Sequence, residues 1–137
     1  PALELARVSV VGARSIDPGE ADLIRERGIA VHTMSEIDRR GLEAVVGEAI
    51  DRARGAAFVH VSLDLDVVEP AEAPGVGTPV RGGLTYREAH LAMELLAESG
   101  LVGSLELVEV NPVLDRRNTT ARLAVDLAAS ALGARIL

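Results

Sequence analysis

Short runs of β-type polarity interleave with longer stretches of helical periodicity along the whole chain. The order is strand, helix, strand, helix, strand, long loop, helix, strand, helix. Arg7 to Gly12 is a β-branched run, followed by the turn chemistry of Asp17, Pro18 and Gly19. A helix is predicted from about Gly19 to Arg27, stopped by Gly28, and a second strand from Ile29 to Thr33. Ser35 with Asp38 predicts a capping box for the next helix. There, Val45, Val46, Ala49, Ile50 and Ala53 share one face, with an end near Gly55. From Phe58 to Asp66 the odd positions Val59, Val61, Leu63 and Leu65 are apolar and the even positions His60, Ser62, Asp64 and Asp66 polar, which predicts the third strand. A Pro/Gly-rich loop spans Glu69 to Gly83. Thr85 and Glu88 predict a second capping box, ahead of a helix with Ala89, Ala92, Met93 and Leu96 on one face. A fourth strand from about Ser104 to Val110 and a helix through Ala121, Ala124, Val125, Ala128 and Leu132, ending at Gly133, complete the pattern.

Strands alternating with helices imply parallel β-α-β units and helices on both faces of a sheet, a three-layer αβα architecture. Ligands in such folds gather at the carboxyl ends of strands. That directs attention to Gly12–Asp17, Asp64–Thr78 and Glu109–Asn111.

Composition narrows the function. The 137 residues amount to one domain or a piece of one, and 48% hydrophobic content is enough for a core without staples. Cysteine is absent, which excludes disulfides, thiolate metal sites and a cysteine nucleophile. A net charge of −7 and a pI near 4.9 disfavour a nucleic-acid or anionic-membrane partner. With no apolar run of membrane-spanning length and no signal-peptide pattern, a soluble cytoplasmic protein is expected.

Asp64 and Asp66, two apart on one strand, would place both carboxylates on one side of the sheet, roughly 7 Å apart along the backbone. Two anions so close repel unless a cation lies between them, and hard oxygen donors suit Mg, Ca or Mn. The alternative is a solvated strand end with Asp66 in a turn. Glu109, following Leu105 and Leu107, makes one strand face turn acidic at its carboxyl end. It would receive either a cationic ligand such as a guanidinium or one of the chain's own 14 basic residues. Asp17 has the signature of an N-cap, with Pro18 at N1 and Glu20 at N3. His32, His60 and His90 show no partner spacing of a ligand set and read as structural, His60 as a core histidine. The glycines around Gly75 and Gly77 lack the lysine of a phosphate loop, and a loop of this length is more often functional than filler.

Together these segments resemble the ureohydrolase superfamily, and within it the arginases of bacteria. The resemblance is carried by Ser62-Leu63-Asp64-Leu65-Asp66, Ala73-Pro74-Gly75-Val76-Gly77-Thr78-Pro79, Gly82 to Glu88 and Val108-Glu109-Val110-Asn111-Pro112, with Gly12 to Glu20 and His32 to Arg39 matching in the same order. It implies about half of the ureohydrolase fold and a binuclear Mn²⁺ enzyme that hydrolyses L-arginine to L-ornithine and urea. By the same resemblance Asp64 bridges the two metals and Asp66 ligates one. Glu109 holds the guanidinium, Thr78 lines the substrate pocket and Asp17 faces the amino-acid end of the substrate. Arg87 and Glu88 match positions of subunit contact, which implies a homotrimer or hexamer.

Val67-Val68-Glu69-Pro70 stands where the family usually has Gly-Leu-Asp-Pro, so a carboxylate behind the metal site is one methylene longer. The family's Gly-Gly-Asp-His and Asp-Ala-His-x-Asp segments, with most of the metal ligands and the proton-shuttle histidine, are missing. The opening at Pro1 then reads as a truncation, and the 137 residues as the carboxyl-terminal part of a single arginase-like domain, inactive alone and with no catalytic residue of its own. An exposed sheet edge is expected where the family has a further strand. The competing expectations are an agmatinase or other guanidino-acid hydrolase, and a non-catalytic structural or oligomerisation segment.

Overall fold

The computed structural model describes residues 3–134. Four strands and five helices alternate, with two single 3-10 turns. β1 (Ser9–Ala13) lies parallel to β2 (Ala30–Thr33), and β3 (Val59–Asp64) lies parallel to β4 (Val102–Val108). The parallel pairing follows from the helical crossovers between partners. Those helices are α1 (Pro18–Arg27), α2 (Met34–Arg40), α3 (Leu42–Ala53), α4 (Tyr86–Ser99) and α5 (Thr119–Ala131).

The expected sheet is present as two separate two-stranded ladders, with no pairing between them among the described residues. α3 packs on α4 and α4 on α5, while α2 and α3 lie against β1. The core between these layers is aliphatic, with Val45, Leu63, Leu65, Val68, Met93 and Leu127 buried, and both aromatic residues, Phe58 and Tyr86, exposed. No helix among the described residues is long and apolar enough to cross a membrane.

Local chemistry sets most helix ends. Asp17 and Glu20 form a full capping box at α1, as do Thr85 and Glu88 at α4, and Gly28 and Gly100 end these helices in the left-handed conformation. The box expected at Ser35 does not form. Thr33, the last residue of β2, caps α2 instead by accepting from the Glu36 amide, so strand passes into helix with no loop between. Gly41, at φ 82°, then breaks the run into α2 and α3.

α5 is capped from a distance. Asn118 at its start is left-handed and makes no side-chain cap. Asp115 takes over, its two carboxylate oxygens accepting from the amides of Thr120 and Ala121 at 3.0 Å each. Burial opposes its ionisation, but the amides of Thr120 and Ala121, the Thr120 hydroxyl and the Arg116 amide outweigh it and hold this carboxyl below its usual pKa. A depressed folded-state pKa stabilises the protein above the ordinary carboxylate range, and that contribution is lost as the pH falls through the depressed value. Asp115→Asn keeps one acceptor oxygen and loses the other with its charge, and is therefore expected to cost about 1 kcal/mol at pH 7, the scale of one hydrogen bond. Urea unfolding at pH 7 and pH 3 checks it, with the difference between variant and wild type narrowing at the lower pH.

Candidate metal and substrate site

The carboxyl ends of β3 and β4 carry the acidic residues. Asp64 is the last residue of β3, and the chain then turns into a 3-10 turn, Leu65–Val67. Asp66 thus stands in a turn rather than on the strand face, and its amide donates to Asp64 Oδ1 at 2.9 Å. The strand stops at Asp64 because that side chain caps the 3-10 turn, while Leu65 stays buried like Leu63 before it. Glu109 also lies just beyond its strand, at φ 65°, a conformation that turns the chain out of the ladder. Its Oε2 comes within 3.5 Å of where a Cβ on Gly77 would stand, which places it against the Gly-rich loop.

That loop is pinned at several points. Gly75 donates to the buried Thr120 hydroxyl and its carbonyl accepts from Asn111, both at 2.7 Å. At the loop base, the Leu84 amide donates to the Val67 carbonyl and the Leu84 carbonyl accepts from the Glu69 amide. The Glu69 carboxylate accepts from the amides of Gly82 (2.8 Å) and Gly83 (3.0 Å). The longer side chain of Glu69 thus closes the loop. Thr78, at the loop tip, donates to Asp66 Oδ2 at 3.3 Å.

Asp64, Asp66, Glu109 and Thr78 are therefore gathered in one place. Among the described residues none of the three carboxylates forms an ion pair with a basic side chain. Burial, joined by the charges of Asp66 and Glu109, pushes the Asp64 carboxyl above its usual pKa against the opposing amide of Asp66. Crowded anions with no basic partner among the described residues, Asp64 and Asp66 partly buried and Glu109 exposed beside them, are a donor set that fits a hard divalent ion, which Asp64 and Asp66 would hold. Asp17 stands apart as the exposed cap of α1, with Oδ1 committed to the Glu20 amide at 2.8 Å.

Three ligand atoms of His32, Glu36 and Glu48 lie within 4.8 Å of one another, a constellation the spacing of histidines does not reveal. Arg40 already serves as its cation, bonding Glu36 and, at 2.7 Å, Glu48. Arg40 is also what chiefly holds both carboxyls below their usual pKa. Buried His32 completes this network through Nδ1 and Glu36 at 3.2 Å, a structural role. His90 is structural too, bonded to Ser130 at 2.9 Å. His60 is not a core residue. It projects from the exposed face of the β3–β4 ladder, bonded to Ser104 at 2.6 Å, because both strands turn polar residues to that side. Arg87 forks onto Glu94 at 2.7 Å through each of two nitrogens, and Glu88 closes the α4 cap, so both are engaged within the chain.

Parallel strands with flanking helices, and acidic residues collected at the strand ends, define a three-layer α/β protein of the ureohydrolase type. Residues 1–133 match the arginase family, and the chain belongs to it. It is 50% identical over 137 residues to the arginase of Bacillus subtilis, covering 100% of this chain and 46% of that protein. It is 52% identical over 141 residues to the arginase of Bacillus caldovelox, again covering 46% of that protein. The chain thus spans somewhat under half the length of these curated relatives. The crystal structure of the Bacillus subtilis arginase superposes with a TM-score of 0.96 at 50% identity, over 98% of this chain and 48% of that one. Proclavaminate amidino hydrolase from Streptomyces clavuligerus superposes at 0.79 with 31% identity, over 90% of this chain and 40% of that one.

Proposed function

We propose that this chain is the carboxyl-terminal part of a single arginase-like domain, and that the intact protein hydrolyses L-arginine to L-ornithine and urea with two Mn²⁺ ions. The observation that carries this reading is the meeting of Asp64, Asp66, Glu109 and Thr78, with no basic partner for the three carboxylates among the described residues. Asp64 and Asp66 would hold metal through hard carboxylate oxygens. Bound Mn²⁺ supplies Lewis acidity and makes water nucleophilic near neutral pH.

The chain's own residues bind and orient the substrate. Glu109, turned out of β4 toward the Gly-rich loop, pairs its carboxylate with the guanidinium. The Thr78 hydroxyl lines the pocket beside Asp66. Asp17 faces the amino-acid end of arginine with the carboxylate oxygen not used in capping α1. The rest of the site, including the general acid or base, comes from the part of the protein outside these residues. The intact protein is a cytoplasmic homotrimer or hexamer in this reading.

Urea release is the test. The intact protein with Mn²⁺ is expected to turn over arginine well above agmatine, and the 137-residue chain alone to give no more urea than a metal-free blank. Preference for agmatine by the intact protein would favour the agmatinase reading, and turnover by the 137-residue chain would overturn the division of the site between two segments.

A further inference from the structure

One basic side chain reaches into the acidic end of the molecule without touching a carboxylate. Arg14 follows β1 immediately, after a bulge at Gly12 where the pairing with β2 shifts by a residue. Gly12 sits at φ 88°, and a Cβ there would stand 2.5 Å from Val67 Cγ2, so the bulge packs directly on the turn that carries Asp66. Bulges re-aim the residue that follows. Here the guanidinium Nη2 donates to the carbonyl of Asp66 at 2.5 Å and to that of Val80 at 2.7 Å, and Nε donates to Val80 again at 3.0 Å.

The two carbonyls belong to different parts of the site. Asp66 is a candidate metal ligand, and Val80 lies two residues beyond Thr78 in the loop. The loop is fixed near its start by Thr120 and Asn111 at Gly75 and at its end by Glu69 at Gly82 and Gly83. Between these anchors, the Thr78 hydroxyl and Arg14 are what join it to the turn of Asp66. We infer that Arg14 is a positioning residue, which holds the substrate loop in register with the Asp66 turn so that pocket and cation site move as one body. The term substrate loop rests on the function proposed above, whereas the clamp itself does not.

Geometry, rather than charge alone, makes the clamp. A guanidinium offers several donors in a rigid fork and keeps its charge at every working pH, whereas an ammonium is a point charge on a flexible stem. Arg14→Lys should therefore fail to replace it. The Asp66 turn keeps its own bonds to Asp64 and within the turn, so the loop is the part released.

The experiment uses the intact Mn²⁺-loaded protein as wild type, Arg14→Lys and Arg14→Gln. Both variants are expected to raise the KM for arginine about tenfold, the low end for loss of a group that orients site residues. The kcat and bound Mn²⁺ should stay close to wild type. Limited trypsin digestion reads the clamp independently of activity. Nicking after Arg81, in the loop, should speed up about tenfold in both variants, with nicking after Arg117 unchanged. A fall in kcat with KM unchanged, nicking that rises equally at both sites, or full rescue by lysine would overturn the proposal. If the wild type does not hydrolyse arginine, the functional reading falls, and the two nicking rates still decide the clamp.

Discussion

Asp64→Asn in the intact protein is expected to lower kcat/KM for arginine by roughly 100- to 1,000-fold, the range for removing one group that stabilises a transition state electrostatically. It should also lower the bound Mn²⁺. Asparagine keeps the shape of the side chain and the oxygen that accepts from the Asp66 amide, so the turn after β3 is preserved. What is lost is a negative charge at the point where three carboxylates converge. The stability of the metal-free protein should move the other way. The Asp64 carboxyl is pushed up by burial and by its acidic neighbours, so its ionisation costs the fold stability as the pH rises above the unfolded value. At pH 7 without metal the variant should therefore melt no lower than wild type, and in acid, where both side chains are neutral, the two should converge. Urea assays, metal analysis and thermal melts check this. A variant that lost activity and stability together would mark Asp64 as structural, and one that kept full activity would remove it from the metal site.

Gly75→Ala is expected to destabilise the chain by roughly 3 kcal/mol, from overpacking together with strained buried hydrogen bonds. An added Cβ would lie 2.4 Å from Asp115 Cβ and 2.7 Å from Asp115 Cα, and backbone cannot swing aside as a side-chain tip does. Separating the two segments pulls on the Gly75 amide bonded to buried Thr120 and on the carbonyl that accepts from Asn111. The same movement disturbs Asp115, which caps α5. Domains of this size are stable by only about 5–15 kcal/mol, so the loss would show as a large fall in the urea midpoint. Gly47→Ala, in α3 with nothing within 4 Å of the added methyl, serves as the control and should not destabilise. An unchanged midpoint for Gly75→Ala would mean that the loop and α5 are not packed as described.

Features governed by chemistry within a few residues were legible in the sequence. The boxes at Asp17–Glu20 and Thr85–Glu88 form because both partners lie on one helical turn. The apolar face of α3 is likewise buried as its period requires, with Leu42, Val45, Val46 and Ile50 inside. Ser35 shows the limit, because the same residue types cap only where a strand actually stops, and β2 stops at Thr33. His60 shows another, because one strand's alternation does not say which face is covered. The polar face formed with Ser104 and Glu106 appears only when β3 and β4 pair.

By itself the sequence determined the parallel α/β class, the acidic residues and their order along the chain, since periodicity, capping and motif spacing are properties of short segments. Tertiary structure decided where they meet. It ended β3 at Asp64 in a 3-10 turn that the Asp64 carboxylate caps, turned Glu109 out of β4 in the left-handed conformation, and bent Glu69 onto the loop amides. It also brought Arg14 across to carbonyls 52 and 66 residues away. Such contacts depend on how separate ladders and loops pack, and no window of neighbouring residues carries that information. Of the two carboxylates that the alternation set on one strand face, Asp64 ends β3 and Asp66 turns away in the 3-10 turn after it, where Thr78 of the pinned loop meets it.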